Sequence, residues 1–237
     1  MLLTANQVLA GDMYYETLEV GAGVTLTTNG FRIFVHDTLT LDQGAIIDQS
    51  GGTATMTAAS ALASGTVGGG GAGQPPSPCS ATGGSVTNSL GGSAGAVGAS
   101  IFGVATPPTA AAGGSEVFDS LTNAIAGRSL DGNLVVGGAG GSSCGMGNLN
   151  GGGGGVIVIV ARTVVLSGTS ATLSANGGPA AAAAGSPDAT PVPGGGGVIV
   201  VVTTSPTPAH LTLSVQGGAP AVTGTSEGVP GHTYWLN

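Results

Sequence analysis

The chain has 237 residues, 48 of them glycine, with 3% aromatic and 6% charged side chains, against about 25% charged in an ordinary soluble domain. It has no lysine, its basic residues are Arg32, Arg128 and Arg162, and its net charge is −8; binding to nucleic-acid phosphates or an anionic membrane needs clustered Lys and Arg, so both partner classes are excluded. Disorder goes with low hydrophobicity and high charge, whereas mean hydropathy here is +0.41, and the glycines cluster instead of recurring at every third position as in collagen.

Taken in chain order, Met1–Gln7 shows no basic n-region, so no signal peptide is evident. No apolar run reaches the roughly 18 residues that span a bilayer, so membrane insertion is not expected. Met13-Tyr14-Tyr15 follows. Phe31-Arg-Ile-Phe-Val35, Thr38-Leu-Thr-Leu41 and Ala45-Ile-Ile-Asp-Gln-Ser-Gly-Gly52 then read as three short β runs separated by turn-forming residues, the length of one coil of a three-sided solenoid.

Residues 53–150 form a glycine/alanine-rich insertion. Val117, Leu121 and Ile125, at i, i+4 and i+8 before Gly127, predict one short helix near 115–127. Cys79 and Cys144 could close one loop in an oxidising compartment, but without an export signal two free thiols are the expectation, and two cysteines are too few for a metal site.

The coil pattern returns as Gly151–Gly155, Val156–Val160, Thr163–Leu166 and Ala171–Gly178. A further copy follows as Gly194–Gly197, Val198–Val202 and Leu211–Gly218. Proline lacks the ladder N–H, so Pro206 and Pro208 spoil the middle strand of that copy. The expected architecture is all-β: a short β-solenoid (β-helix) of about three coils. Its segments are an N-terminal stretch with the first coil (1–52), the insertion (53–150), and the second and third coils with an aromatic tail (151–237). Smaller insertions of the same texture follow at Pro179–Pro193 and Ala219–Gly231, and each of the three leaves after a Gly-Gly, which places them side by side and suits polyglycine or PPII-like packing.

Val156, Ile157, Val158, Ile159 and Val160 do not alternate with polar residues, nor do Val198, Ile199, Val200, Val201 and Val202. Both faces of these strands must therefore be buried, under the insertions or against a neighbouring subunit, so all ten are candidate oligomer-interface residues. A small glycine-rich core predicts further support from association, and a homotrimer about the long axis suits a three-sided prism. Tyr14, Tyr15, Tyr234 and Trp235 are candidates either for docking to a partner or for capping the solenoid ends.

Catalysis by a β-helix would need clustered carboxylates with basic groups on one face. Asp37, Asp42 and Asp48, with Arg32 and His36 nearby, are the one acidic cluster in a coil. Asp42 and Asp48 have non-acidic counterparts in the later copies, so these are read as turn and edge residues. No enzyme, cofactor or metal is expected.

The glycine runs, Val/Ile strands, Ser167-Gly-Thr169 and Ala175-Asn-Gly-Gly178 resemble the glycine-rich β-helical segments of tailed-phage virion proteins. The match is closest over Gly137–Gly218. The resemblance implies a non-enzymatic, externally exposed, homotrimeric structural part of a virion, assembled in the host cytoplasm with other capsid or tail proteins. The expected function is capsid decoration or cement, or a spike. The alternative is a tail-fibre or tail-tip adhesin whose glycine-rich loops recognise a host-surface glycan or protein.

Overall fold

The computed structural model describes residues 1–52, 62, 65–67, 69–70, 137–138, 148–182, 191–221 and 227–237. The helix expected near 115–127, and Cys79 and Cys144, lie outside the described residues. These residues form β strands and no helix: β1 (Leu2–Leu3), β2 (Gln7–Val8), β3 (Met13–Tyr15), β4 (Leu18–Val20), β5 (Thr25–Thr27), β6 (Ile33–Leu41), β7 (Ala45–Asp48), β8 (Asn148–Leu149), β9 (Val156–Leu166), β10 (Ala171–Ser174), β11 (Ala181–Ala182), β12 (Val198–Val202), β13 (Leu211–Ser214) and β14 (His232–Leu236).

Two parallel sheets carry the fold. One has seven strands in the order β1-β4-β6-β9-β12-β14 with β3 also beside β6, and the other has five in the order β13-β10-β7-β5-β2. Parallel neighbours need a crossover, and here each sheet supplies the crossover of the other as the chain winds between them. The result is solenoid-like stacking of successive passes.

Within each pass the strands alternate. In β7, Ala45 and Ile47 are buried while Ile46 and Asp48 are half-buried on the outer face. Inward residues then meet in rows: Leu26, Ile47, Leu173 and Leu213 across the five-stranded sheet, and Ile33, Ile159, Val201 and Trp235 across the larger one. These rows form a single continuous core. Tight turns feed the five-stranded sheet. Val24 N bonds Gly21 O and Ala45 N bonds Asp42 O, both at 3.0 Å, with Gly23 and Gly44 at φ of 68° and 73°. That left-handed position favours glycine; in the last pass His210 holds it at φ 69°.

The stack is longer than the three coils expected. β1 to β5 precede the Phe31–Gly52 unit, and β14 follows the last. These early strands are two or three residues long, too short to register as apolar runs. No strand is assigned between Val202 and Leu211, where Pro206 and Pro208 remove ladder donors.

The glycine runs pack differently from the strands. Gly152 N bonds Gly52 O (3.2 Å) and Gly155 N bonds Gln49 O (2.7 Å), while Gly151 N and Gly154 N bond Val192 O (3.0 Å) and Gly195 O (2.9 Å). Gly152 O and Gly154 O in turn accept from Gly178 N and Gly138 N. One run thus bonds four neighbouring segments, whereas a strand in a sheet has at most two. Side chains have no room there: a Cβ on Gly154 would lie 2.1 Å from Ala175 O, and one on Gly196 would lie 1.9 Å from Val215 O. The Gly-Gly exits stack as well, through Gly51 N to Asn176 O (2.7 Å) and Gly177 N to Gln216 O (2.8 Å).

Asn176 ties three passes together beside these exits. Its N–H donates to Ser50 Oγ (3.2 Å), and its Oδ1 accepts from Ser214 Oγ (2.8 Å) and Gln216 N (2.7 Å).

Candidate assembly surface

The outer face of the seven-stranded sheet carries the strands that lack alternation. Ile157, Ile159, Ile199 and Val201 point inward and join the core. Val156, Val158, Val198 and Val200 point outward, yet they too are buried, in a second apolar cluster with Val67. Of the two covers the sequence allows, the chain itself supplies one for these four valines. Val160 and Val202 are half-buried at the margin of that cluster.

The segment carrying Val67 is tied to the first passes. Val67 N bonds Gly30 O at 2.9 Å, and Thr66 Oγ1 donates to Asp12 Oδ1. Asp12 also accepts from Arg32 N (2.9 Å) and Arg32 Nε (2.8 Å), with Arg32 Nη2 as a further partner. Both side chains are largely buried, 11% exposed for Arg32 and 14% for Asp12. Burial alone would raise the Asp12 carboxyl pKa, but the Arg32 and Thr66 hydrogen bonds and the guanidinium charge together hold it below the ordinary carboxylate range.

Beyond this cover the outer face opens into an apolar groove of about 800 Å³. Along it runs one row in register: Tyr14 pairs with Phe34, Phe34 with Val160 and Val160 with Val202, and the row continues past the groove to Leu236, the partner of Val202. The row crosses five adjacent strands, about 19 Å at the 4.8 Å strand spacing. Tyr14 is 72% and Leu236 37% exposed. A polar rim of Glu16, His36, Arg162, Thr203 and Thr204 borders the row. His36 Nδ1 lies 3.1 Å from Glu16 Oε1, and Arg162 Nη1 lies 3.7 Å from Asp37 Oδ1.

The four aromatic candidates divide between exposed, core-packed and outward-packed positions. Tyr14 is the exposed one. Tyr15 points inward against the core; its hydroxyl is buried without a hydrogen-bond partner among the described residues, and burial raises its pKa. Trp235 also packs on the core from the edge strand β14, where its Nε1 donates to Ser205 O at 2.8 Å. Tyr234 lies outward against the second apolar cluster, and burial raises its pKa as well.

The acidic candidates are dispersed. Asp37 faces Arg162 on the groove rim, Asp42 accepts from Ser167 Oγ at a turn, and Asp48 accepts from Ser50 Oγ (2.7 Å) on the five-stranded sheet. No group of three His, Cys, Asp or Glu side chains suited to a metal ion occurs among the described residues.

Sequence reading did not identify Phe34, Asp12, Thr66 or Val67 as parts of this surface. The 20-residue step from Gly11-Asp12 to Phe31-Arg32 is the spacing of neighbouring passes and is the one signal that links Asp12 to Arg32. The chain matches no protein-family model, no curated protein and no solved structure.

Proposed function

We propose that this protein is a non-enzymatic structural component on the exterior of a phage-like particle, a homotrimeric decoration, cement or spike protein. In this reading the stacked passes are a short three-sided β-solenoid, and the bonded glycine runs are a polyglycine, PPII-like bundle. The observation that carries it is the combination of glycine runs bonded backbone to backbone across several segments with an apolar row open along the outer face. Such an object resists deformation, and it presents a surface for packing rather than an enclosed site for chemistry. The placement on a virion is supported by the resemblance of Gly137–Gly218 to glycine-rich virion segments.

The test is sedimentation. Particles from the source culture are banded in a density gradient, and the fractions are analysed by mass spectrometry. The protein is expected to band with the particles in a fixed ratio to the major coat protein. Its confinement to the soluble fractions would overturn the reading.

A further inference from the structure

We infer that the row Tyr14–Phe34–Val160–Val202–Leu236 is the surface along which copies of this chain meet, in parallel and in register about a common axis. The inference rests on the trimeric reading above and assigns residues to its interface. The chain already covers the outward residues Val156, Val158, Val198 and Val200 with its own Val67, so among the described residues the apolar groove of this face is floored by Tyr14, Phe34, Val160 and Val202 of this row.

Two features select a second copy as the occupant. The first is direction. The row runs along the stacking axis through the strands β3, β6, β9, β12 and β14, so an identical row on a parallel neighbour matches it residue for residue over its full length. A symmetry axis along the stack brings equivalent residues together at every level.

The second is charge. A chain of net charge −8 repels its own copies at a distance, and contact is favoured where positive groups are available to a neighbour's acids. Of the two described arginines, Arg32 is held by Asp12 and largely buried, whereas the Arg162 side chain is 70% exposed on the groove rim with a long 3.7 Å contact to its own Asp37, a pair that can be shared with a neighbour. Asp37 lies on the adjacent strand of the same rim, with Glu16 and His36 beyond it. In a parallel assembly Arg162 of each copy lies about one strand level from a neighbour's Asp37 along the stacking axis, so a pair between copies is available to both.

The experiment is the solution mass by light scattering of the full chain and of three variants, with far-UV circular dichroism on each sample. Wild-type protein is expected near three times 22.1 kDa. Val202→Asp and Tyr14→Asp place charge on the row and are expected to give monomers with an unchanged β spectrum. Val165→Asp, at an exposed outer position of β9 away from the row, is expected to leave the trimer intact. A trimer that survives both row variants overturns the interface while leaving the trimeric reading standing. A monomeric wild type overturns both. A wild-type dimer dissociated by the row variants supports the row and overturns the three-fold count.

Discussion

Tyr14 stacks on Phe34 with ring centroids 4.9 Å apart and planes within 4°. The separation is the spacing of parallel strands, because the two residues are register partners on β3 and β6. The Arg32 guanidinium adds a cationic contact, 5.3 Å from the Phe34 centroid. Phe34→Ala is expected to lower unfolding free energy by about 2 kcal/mol, since it removes a half-buried ring together with the stack. Tyr14→Ala, at an exposed position, is expected to cost under about 1 kcal/mol. Urea denaturation of both variants checks the ordering.

Glycine substitutions should divide sharply by location. Gly154→Ala puts a methyl against Ala175 O and Gly197 N, both backbone atoms, so the segments must separate at a cost of about 3 kcal/mol or more. Gly11→Ala meets nothing within 4 Å and has no positive φ, so it is expected to be neutral or to stabilise by up to about 1 kcal/mol. Thermal melts followed by circular dichroism distinguish the two.

The Asp12–Arg32 pair sets an acid dependence. Because the folded-state pKa of Asp12 is depressed, its contribution is fully present above the unfolded value, about 3.9, and is lost as pH falls through the lower folded value. Melting temperature is therefore expected to fall below about pH 4 more steeply in the parent than in Asp12→Asn. At pH 7 that variant should be less stable by about 2–4 kcal/mol, because Arg32 keeps a buried charge without its partner. Parallel melts between pH 2.5 and 7 test both the slope and the offset.

Tyr15 offers a change of the opposite sign. Its buried hydroxyl has no partner among the described residues, and such a group carries its desolvation penalty uncompensated. Tyr15→Phe is expected to be neutral or to stabilise by about 1 kcal/mol, measured by denaturant midpoint. A loss of more than about 1 kcal/mol would show that the hydroxyl is satisfied in solution.

The sequence pattern revealed the β class and the repeat, because Val156–Val160 and Val198–Val202 are long enough to show as apolar runs and pair in the register their alignment implies. It hid the early strands, where Leu18-Glu-Val20 and Thr25-Leu-Thr27 each bring only one or two buried side chains. Missing alternation demanded burial of both faces, and the structure buries the outward Val156, Val158, Val198 and Val200 while Val160 and Val202 stay half-buried. The covering residue for the outward valines, Val67, lies about 90 residues before β9, and local pattern does not encode so distant a contact. The groove escaped notice for a related reason: Tyr14, Phe34, Val160, Val202 and Leu236 are scattered along the chain and become one row only through strand register.

Immunogold electron microscopy of intact particles, with antibody raised against the recombinant chain, tests the structural role most directly. Label on the outer surface of unbroken particles, at a regular density, is the expected result. Label that appears only after particles are disrupted, or not at all, would contradict an exterior structural function.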